Sequence, residues 1–330
     1  MFPALALTTG AALLLYLTGF FVILTPLPFA LLNLKKGSLA AVVSFSLVLV
    51  ILGLFYFSSA TPFSFLPMMP LYPHLSLLQV AALGLFCFFY YGWIGLTLST
   101  LSVSRWAGRV PERDLGIALG ISLVPLAVLL GAVCKAVRLD LLTEFRGSLQ
   151  FFFGRIVEMQ QNSGLGEDEL LFLKGHIDTA VAGVVNLTPA LIVSFTLFVF
   201  AVNLMFLRRW ISPLQKAPFA GWPFFPLWRL GEKWIWLPIA GGGLYFLNFY
   251  LLRSGLLGWS ILNLLIIAGF VYFFQGLAII SFFSRKRLSP LMRMAGWLLI
   301  FLFIQMFAVV IIILGLFDFW FDFRKLKSVA

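Results

Sequence analysis

The chain has 330 residues, of which 62% are hydrophobic and 11% charged, against roughly 25% charged in soluble domains. With a mean hydropathy of +1.06, it does not read as a soluble globular protein. Its net charge of +11 comes from short basic clusters between apolar runs, so nucleic acid is excluded as a partner and anionic lipid headgroups are expected.

The first apolar run, Ala4–Thr25, is read as a transmembrane span. Met1–Leu34 has no charge, so the basic start of a signal peptide is missing. Pro26 and Pro28 then interrupt the run, because each removes a backbone donor and disfavours helix before it. The following piece, Pro28–Leu34, is too short to cross alone. It is expected as a short broken second helix ended by Lys35-Lys36-Gly37.

No Asp, Glu, Lys or Arg occurs between Gly37 and Ser104. A bilayer core needs about 20 apolar residues in a helix. Ser38–Phe57 and Leu75–Leu101 meet that length, separated by the proline- and aromatic-rich Ser58–Pro73. Further spans are expected at Leu115–Ala136, Ala180–Leu207, Trp234–Leu252, Leu256–Phe283 and Leu291–Phe317. Pro189 should kink the Ala180–Leu207 span. These runs are too long, and apolar on too many faces, for barrel strands. The expected fold is therefore an all-α polytopic transmembrane bundle, with eight full spans plus the short second helix.

Arg138–Asp178 is the one sizeable polar stretch. Leu141, Leu142, Phe145, Leu149, Phe152, Ile156 and Met159 recur every three or four residues, the mark of an amphipathic helix. Asn162–Gly166 breaks it, and Glu167, Asp168 and Glu169 suit the start of a second helix. This segment is expected as an amphipathic helical hairpin on the outer surface. It divides the chain into an N-terminal bundle (1–137), the hairpin (138–178) and a C-terminal bundle (179–330), which together form one integral domain.

Basic residues near span ends stay inside. Lys35, Lys36, Arg208, Arg229, Lys233 and Arg285–Arg287 fall on the more basic side, which is read as cytoplasmic. Arg253, Arg324, Lys325 and Lys327 fall opposite. A basic tail on the outer side conflicts with the rule. The segment Arg208–Lys233 interleaves Trp210, Trp222, Phe224, Phe225, Trp228 and Trp234 with four prolines, as an interfacial belt does.

No HExxH, GxSxG, Walker loop or dinucleotide fingerprint is present. The chain is read as a non-enzyme without cofactor. Cys87 and Cys134 lack metal or disulfide spacing, and no metal site is expected. No ionisable residue sits at mid-span, where ion paths would place one. The intramembrane polar set is Asn186, Asn203, Asn248, Asn263, Gln275 and Gln305. Such amides usually bond between helices. Asn248, Arg253 and Asn263 flank a tight turn, with Asp178 and His176 expected at similar depth, and these five are the candidate ligand-binding residues. Asp318 and Asp322, four apart on one helix face, and Arg324 are candidate anchoring residues, of which at least one should pair with another segment. Gly92, Gly95, the Gly116/Gly120 pair and Gly241–Gly243 are read as close-packing positions.

The segments Pro26–Gly37 and Leu314-Gly-Leu-Phe-Asp318-Phe-Trp-Phe-Asp322-Phe-Arg324, with Arg285–Pro290, resemble the YybS-like family of bacterial multi-pass membrane proteins. That resemblance implies an architecture more than an activity. The short proline-flanked second helix is more distantly similar to the S components of energy-coupling-factor vitamin transporters and to the cell-shape membrane protein MreD. The expected role is to bind or translocate a small or lipid-like molecule in the bacterial inner membrane. The alternative is a scaffold of an envelope-assembly complex with a membrane partner protein.

Overall fold

The computed structural model describes residues 2–19, 21–58, 76–103, 111–161, 166–211 and 225–325. The aromatic loop at 59–75, much of the tryptophan and proline belt, and Lys327 lie outside the described residues.

Eleven α-helices and no strand occur among the described residues. They are α1 (Phe2–Leu17), α2 (Pro26–Lys36), α3 (Ser38–Ser58), α4 (Leu77–Val103), α5 (Pro111–Ala136), α6 (Leu141–Gln161), α7 (Glu167–Ile211), α8 (Trp236–Leu247), α9 (Gly255–Arg287), α10 (Pro290–Leu302) and α11 (Ile304–Phe321). Seven are long and apolar enough to cross a membrane. Backbone amides in lipid need partners within their own segment, which is why the spanning elements are helical. The chain is an all-α polytopic membrane protein.

Both ends differ from the expected spans. The first helix stops at Leu17 rather than reaching Thr25. Gly19 takes a left-handed φ of +67° there, and the Thr18 hydroxyl bonds back to the Leu15 carbonyl, a geometry open to glycine. A single 3₁₀ turn, Val22–Leu24, leads into α2. The last expected span, Leu291–Phe317, breaks at Phe303, whose φ of −111° and ψ of 28° are not helical. No proline or glycine marks that position.

Two compact units form. The first is Met1–Asn186 with Thr196–Ala220, and the second is Leu187–Phe195 with Gly221–Ala330. Helix α7 contributes to both.

In the first unit α1–α4 surround an aromatic core. Phe29 meets Phe45 and Phe88 edge-on, and Phe45 stacks on Phe88 at 5.7 Å between centroids. The buried Tyr16 hydroxyl donates to the Gly84 carbonyl at 2.6 Å. Gly95 lets α4 meet the Pro26 carbonyl, and Gly92 lies under the Phe45 ring. Any side chain at either position would collide. Gly116 and Gly120, by contrast, face open space, as do Gly242 and Gly243. Among the described residues, nothing lies within 4 Å of a Cβ at either member of the GxxxG pair.

The hairpin consists of α6 and the start of α7, which then continues as a single helix of 45 residues. Asp140 caps α6. Its carboxylate accepts from the Thr143 hydroxyl at 2.7 Å and from the Thr143 amide at 3.3 Å. These bonds, the hydroxyl first, hold the Asp140 carboxyl below its ordinary value. A depressed carboxyl stabilises the fold above its unfolded pKa, and that contribution is lost as pH falls through the folded value. Amide exchange in the first turn of α6, normalised for intrinsic pH dependence, should therefore rise in acid. Asp140→Ala should raise it at neutral pH and flatten the acid response. An unchanged profile in the variant would remove the cap from the account.

Candidate functional site

The polar side chains inside the bundle converge on backbone left exposed by irregular helix. Pro26 cannot donate to a preceding carbonyl, and the Ile23 carbonyl beside it accepts instead from the fully buried Asn203 amide at 2.7 Å. Pro189 interrupts the ladder of α7, and next to it the Ala190 amide donates to Asn263 Oδ1 at 2.8 Å. Helix α8 ends in a widened π turn, Asn248–Leu252. Asn248 closes the following turn by donating to the Ser254 carbonyl and accepting from the Ser254 amide, both at 3.1 Å. Such repair is what allows broken helices inside hydrocarbon.

The candidate ligand residues are thus placed as follows. Asn248 is buried and occupied by Ser254. Arg253 is exposed, with a left-handed φ of 49°, and its amide donates to the Asn248 carbonyl. Asn263 lies eight residues into α9, about 12 Å from the turn at helical rise, and faces α7. Asn248 and Arg253 therefore share the turn, and Asn263 does not. Asp178 and His176 belong to the first unit. Asp178 accepts from Gln150 Nε2 at 3.0 Å, tying the two hairpin arms together. His176 bonds the Phe172 carbonyl at 2.7 Å and lies against the Phe172 ring.

The densest polar cluster lies at the C-terminal end. Asp322 takes a left-handed φ of 38°, which turns the chain back on α11. This brings the Phe323 amide onto Asp318 Oδ1 at 3.2 Å and Arg324 Nη2 onto Asp318 Oδ2 at 2.7 Å. Both side chains of that ion pair are fully buried. Arg324 Nη1 donates at 2.8 Å to the carbonyls of both Pro226 and Trp228. Gln275 on α9 completes the set by donating to Asp318 Oδ2 at 3.2 Å and accepting from the Leu230 amide at 3.3 Å. At the rim, Arg229 reaches Asp322 at 3.5 Å. The clamp thus joins three segments through one carboxylate and one guanidinium. The flat guanidinium fork can serve a carboxylate and two carbonyls at once, which an ammonium cannot.

Two glycines that the sequence reading missed make this junction possible. A side chain on Gly315 would collide with the Tyr272 carbonyl, and one on Gly276 with the Ile311 carbonyl, so α9 and α11 touch backbone to backbone. Gly276 and Gly315 have no second glycine four residues away, the spacing that drew attention to Gly116 and Gly120. Gln275 sits next to Gly276 in the sequence.

The clamp corrects the expected topology. Helices α8 and α9 run antiparallel, since Gly241 faces Leu265 and Asn248 faces Gly258. The segment before α8, with Arg229 and Lys233, therefore lies toward the C-terminal half of α9. Arg324 bonds that same segment. The chain end therefore packs beside the segment that carries Arg229 and Lys233, which the charge count sets on the opposite side. Helix α11 runs antiparallel to α9, since Gly276 meets Ile311 and Gly315 meets Tyr272, and its end lies level with the middle of α9, where Gln275 also accepts from the Leu230 amide.

Beside the clamp, Val310, Ile313, Leu314, Phe317, Phe321 and Phe323 line an open, wholly apolar hollow of about 360 Å³. The stacked rings of Phe321 and Phe323 wall one side of it. Among the described residues no group of three or more His, Cys, Asp or Glu is placed to hold a metal ion.

A family profile described as "Predicted membrane protein (DUF2232)" matches residues 71–319, which includes Gln275, Gly276, Gly315 and Asp318. No curated protein and no solved structure matches the chain.

Proposed function

The chain belongs to the DUF2232 family of predicted membrane proteins, and from that premise we propose that it holds a lipid-like molecule in the bilayer without catalysing a reaction. The observation that carries this reading is the hollow on α11, lined entirely by aliphatic and aromatic side chains. Such a surface matches an acyl or prenyl chain and offers nothing to a polar solute. The polar residues first considered for a ligand are occupied: Asn248, Asn263 and Asp178 each serve another group of the chain. The YybS-like likeness supports a bacterial inner membrane as the location, with the basic end of the second unit on the cytoplasmic side. A scaffold role in envelope assembly is the second reading. It is favoured by Gly116 and Gly120 on α5, which no described residue approaches within 4 Å and where a partner helix could approach closely.

Native mass spectrometry of protein extracted from its own membrane tests the first reading. The wild type should retain an apolar ligand, and Ile313→Trp, which fills the hollow from an exposed position, should lose it. Retention of the same ligand by the filled variant would reject the hollow as its site.

A further inference from the structure

The junction of α9 and α10 has features that the hollow does not use. Helix α9 has 33 residues, about 50 Å at helical rise, against a hydrocarbon core of about 30 Å. Its last turn carries Arg285, Lys286 and Arg287, all exposed. Arg293 follows one turn into α10. From Gly255 to Phe317 these four are the only charged residues, and none is acidic.

Helix α10 has 13 residues, about 20 Å, too short to cross. Its start is fixed: Ser289 accepts from the Met292 amide at 3.3 Å, and Pro290 fills the first position. No residue of α10 is buried. Leu291, Leu298 and Leu302 fall on one stripe at spacings of seven and four, each more than half exposed. At 100° per residue, Arg293 falls on the opposite side.

A short exposed helix, apolar on most faces with Met292, Met294 and Phe301 also exposed, and flanked by cations, is suited to the headgroup boundary. We propose that the α9–α10 elbow is a docking surface for anionic phospholipid. Helix α10 lies in the plane of the interface, with Leu291, Leu298 and Leu302 among the upper acyl carbons. Lys286, Arg287 and Arg293 meet lipid phosphates. Charge complementarity selects this occupant, since the elbow holds cations without a neighbouring acidic side chain in its sequence. An apolar protein partner would use the apolar surface of α10 and offer no anion to Lys286, Arg287 and Arg293. The inference does not rest on the hollow on α11.

The test uses the full chain with Cys87→Ala and Cys134→Ala, labelled at Met294→Cys with an environment-sensitive fluorophore. It is reconstituted in vesicles of equal parts phosphatidylglycerol and phosphatidylcholine, with bromine quenchers on one lipid or the other. Brominated phosphatidylglycerol should quench several-fold more strongly than brominated phosphatidylcholine. Each cation replaced, in Lys286→Gln, Arg287→Gln and Arg293→Gln, should cut that preference by about two- to fivefold. High salt should weaken it in the unsubstituted protein, a readout that needs no charge variant to fold. Inorganic phosphate at matched ionic strength should not displace the lipid. Ile313→Trp should leave the preference intact, so failure of the hollow and failure of the elbow are separable. Equal quenching by the two lipids, a preference indifferent to salt and to the charge variants, displacement by free phosphate, or no quenching by either lipid would each overturn the proposal. The last would mean that protein covers α10.

Discussion

Arg324→Ala should destabilise the second unit by about 3–5 kcal/mol, the cost of leaving a buried partner charge uncompensated. The substitution strands the Asp318 carboxylate, fully buried in the pair, and frees the carbonyls of Pro226 and Trp228 at once. Asp318→Ala should cost a similar amount, because it leaves the guanidinium without its counterion. Arg324→Lys should rescue little, since a single ammonium cannot span one carboxylate and two carbonyls in the fork's plane. Removing both charges with Asp318→Leu and Arg324→Met should cost less than either single loss, because burying two paired ions gains little over packed apolar side chains. Thermal unfolding in nanodiscs, followed by proteolysis near Trp228, reads the order of these variants. A single loss no worse than the double would show that the pair is not sealed from water.

The second large effect is expected at the glycine contact. Gly315→Leu should separate α9 from α11, because even a methyl group there meets the Tyr272 carbonyl and the Gly276 amide. Overpacking of this kind costs about 1–3 kcal/mol or more. The separation should also pull Asp318 from Gln275, only three residues along α11. Gly116→Leu is the matched control, since no described residue lies within 4 Å of a Cβ there. If both substitutions were equally tolerated, the backbone contact of α9 with α11 would be wrong.

Much of the architecture was legible because lipid imposes strong rules. Uncharged runs located the spans. Two prolines and Lys35-Lys36-Gly37 marked α2 as short, and it runs from Pro26 to Lys36. Period-3.6 leucines and phenylalanines drew α6. Other features were local but overlooked, such as Thr18-Gly19 ending α1. The break at Phe303 has no local signal: Leu302-Phe303-Ile304 is as helical a tripeptide as its neighbours. Missing it merges α10 and α11 into one span. Asp318, Asp322 and Arg324 stood out as charges at the end of an apolar run. Their partners did not, because Arg324 reaches backbone carbonyls 98 and 96 residues away. A carbonyl carries no side-chain signature. The amides of Asn203, Asn248 and Asn263 were equally visible as intramembrane polar groups. What each one bonds was decided by where a helix elsewhere gives way.

The central claim is that the chain end returns to the membrane face that holds Arg229 and Lys233. It is tested by the sidedness of single cysteines placed at Lys233 and at Lys325, both on the Cys87→Ala, Cys134→Ala background. In sealed, oriented vesicles, an impermeant maleimide should label Lys233→Cys and Lys325→Cys from the same side and neither from the other. Labelling of the two from opposite sides would contradict the clamp.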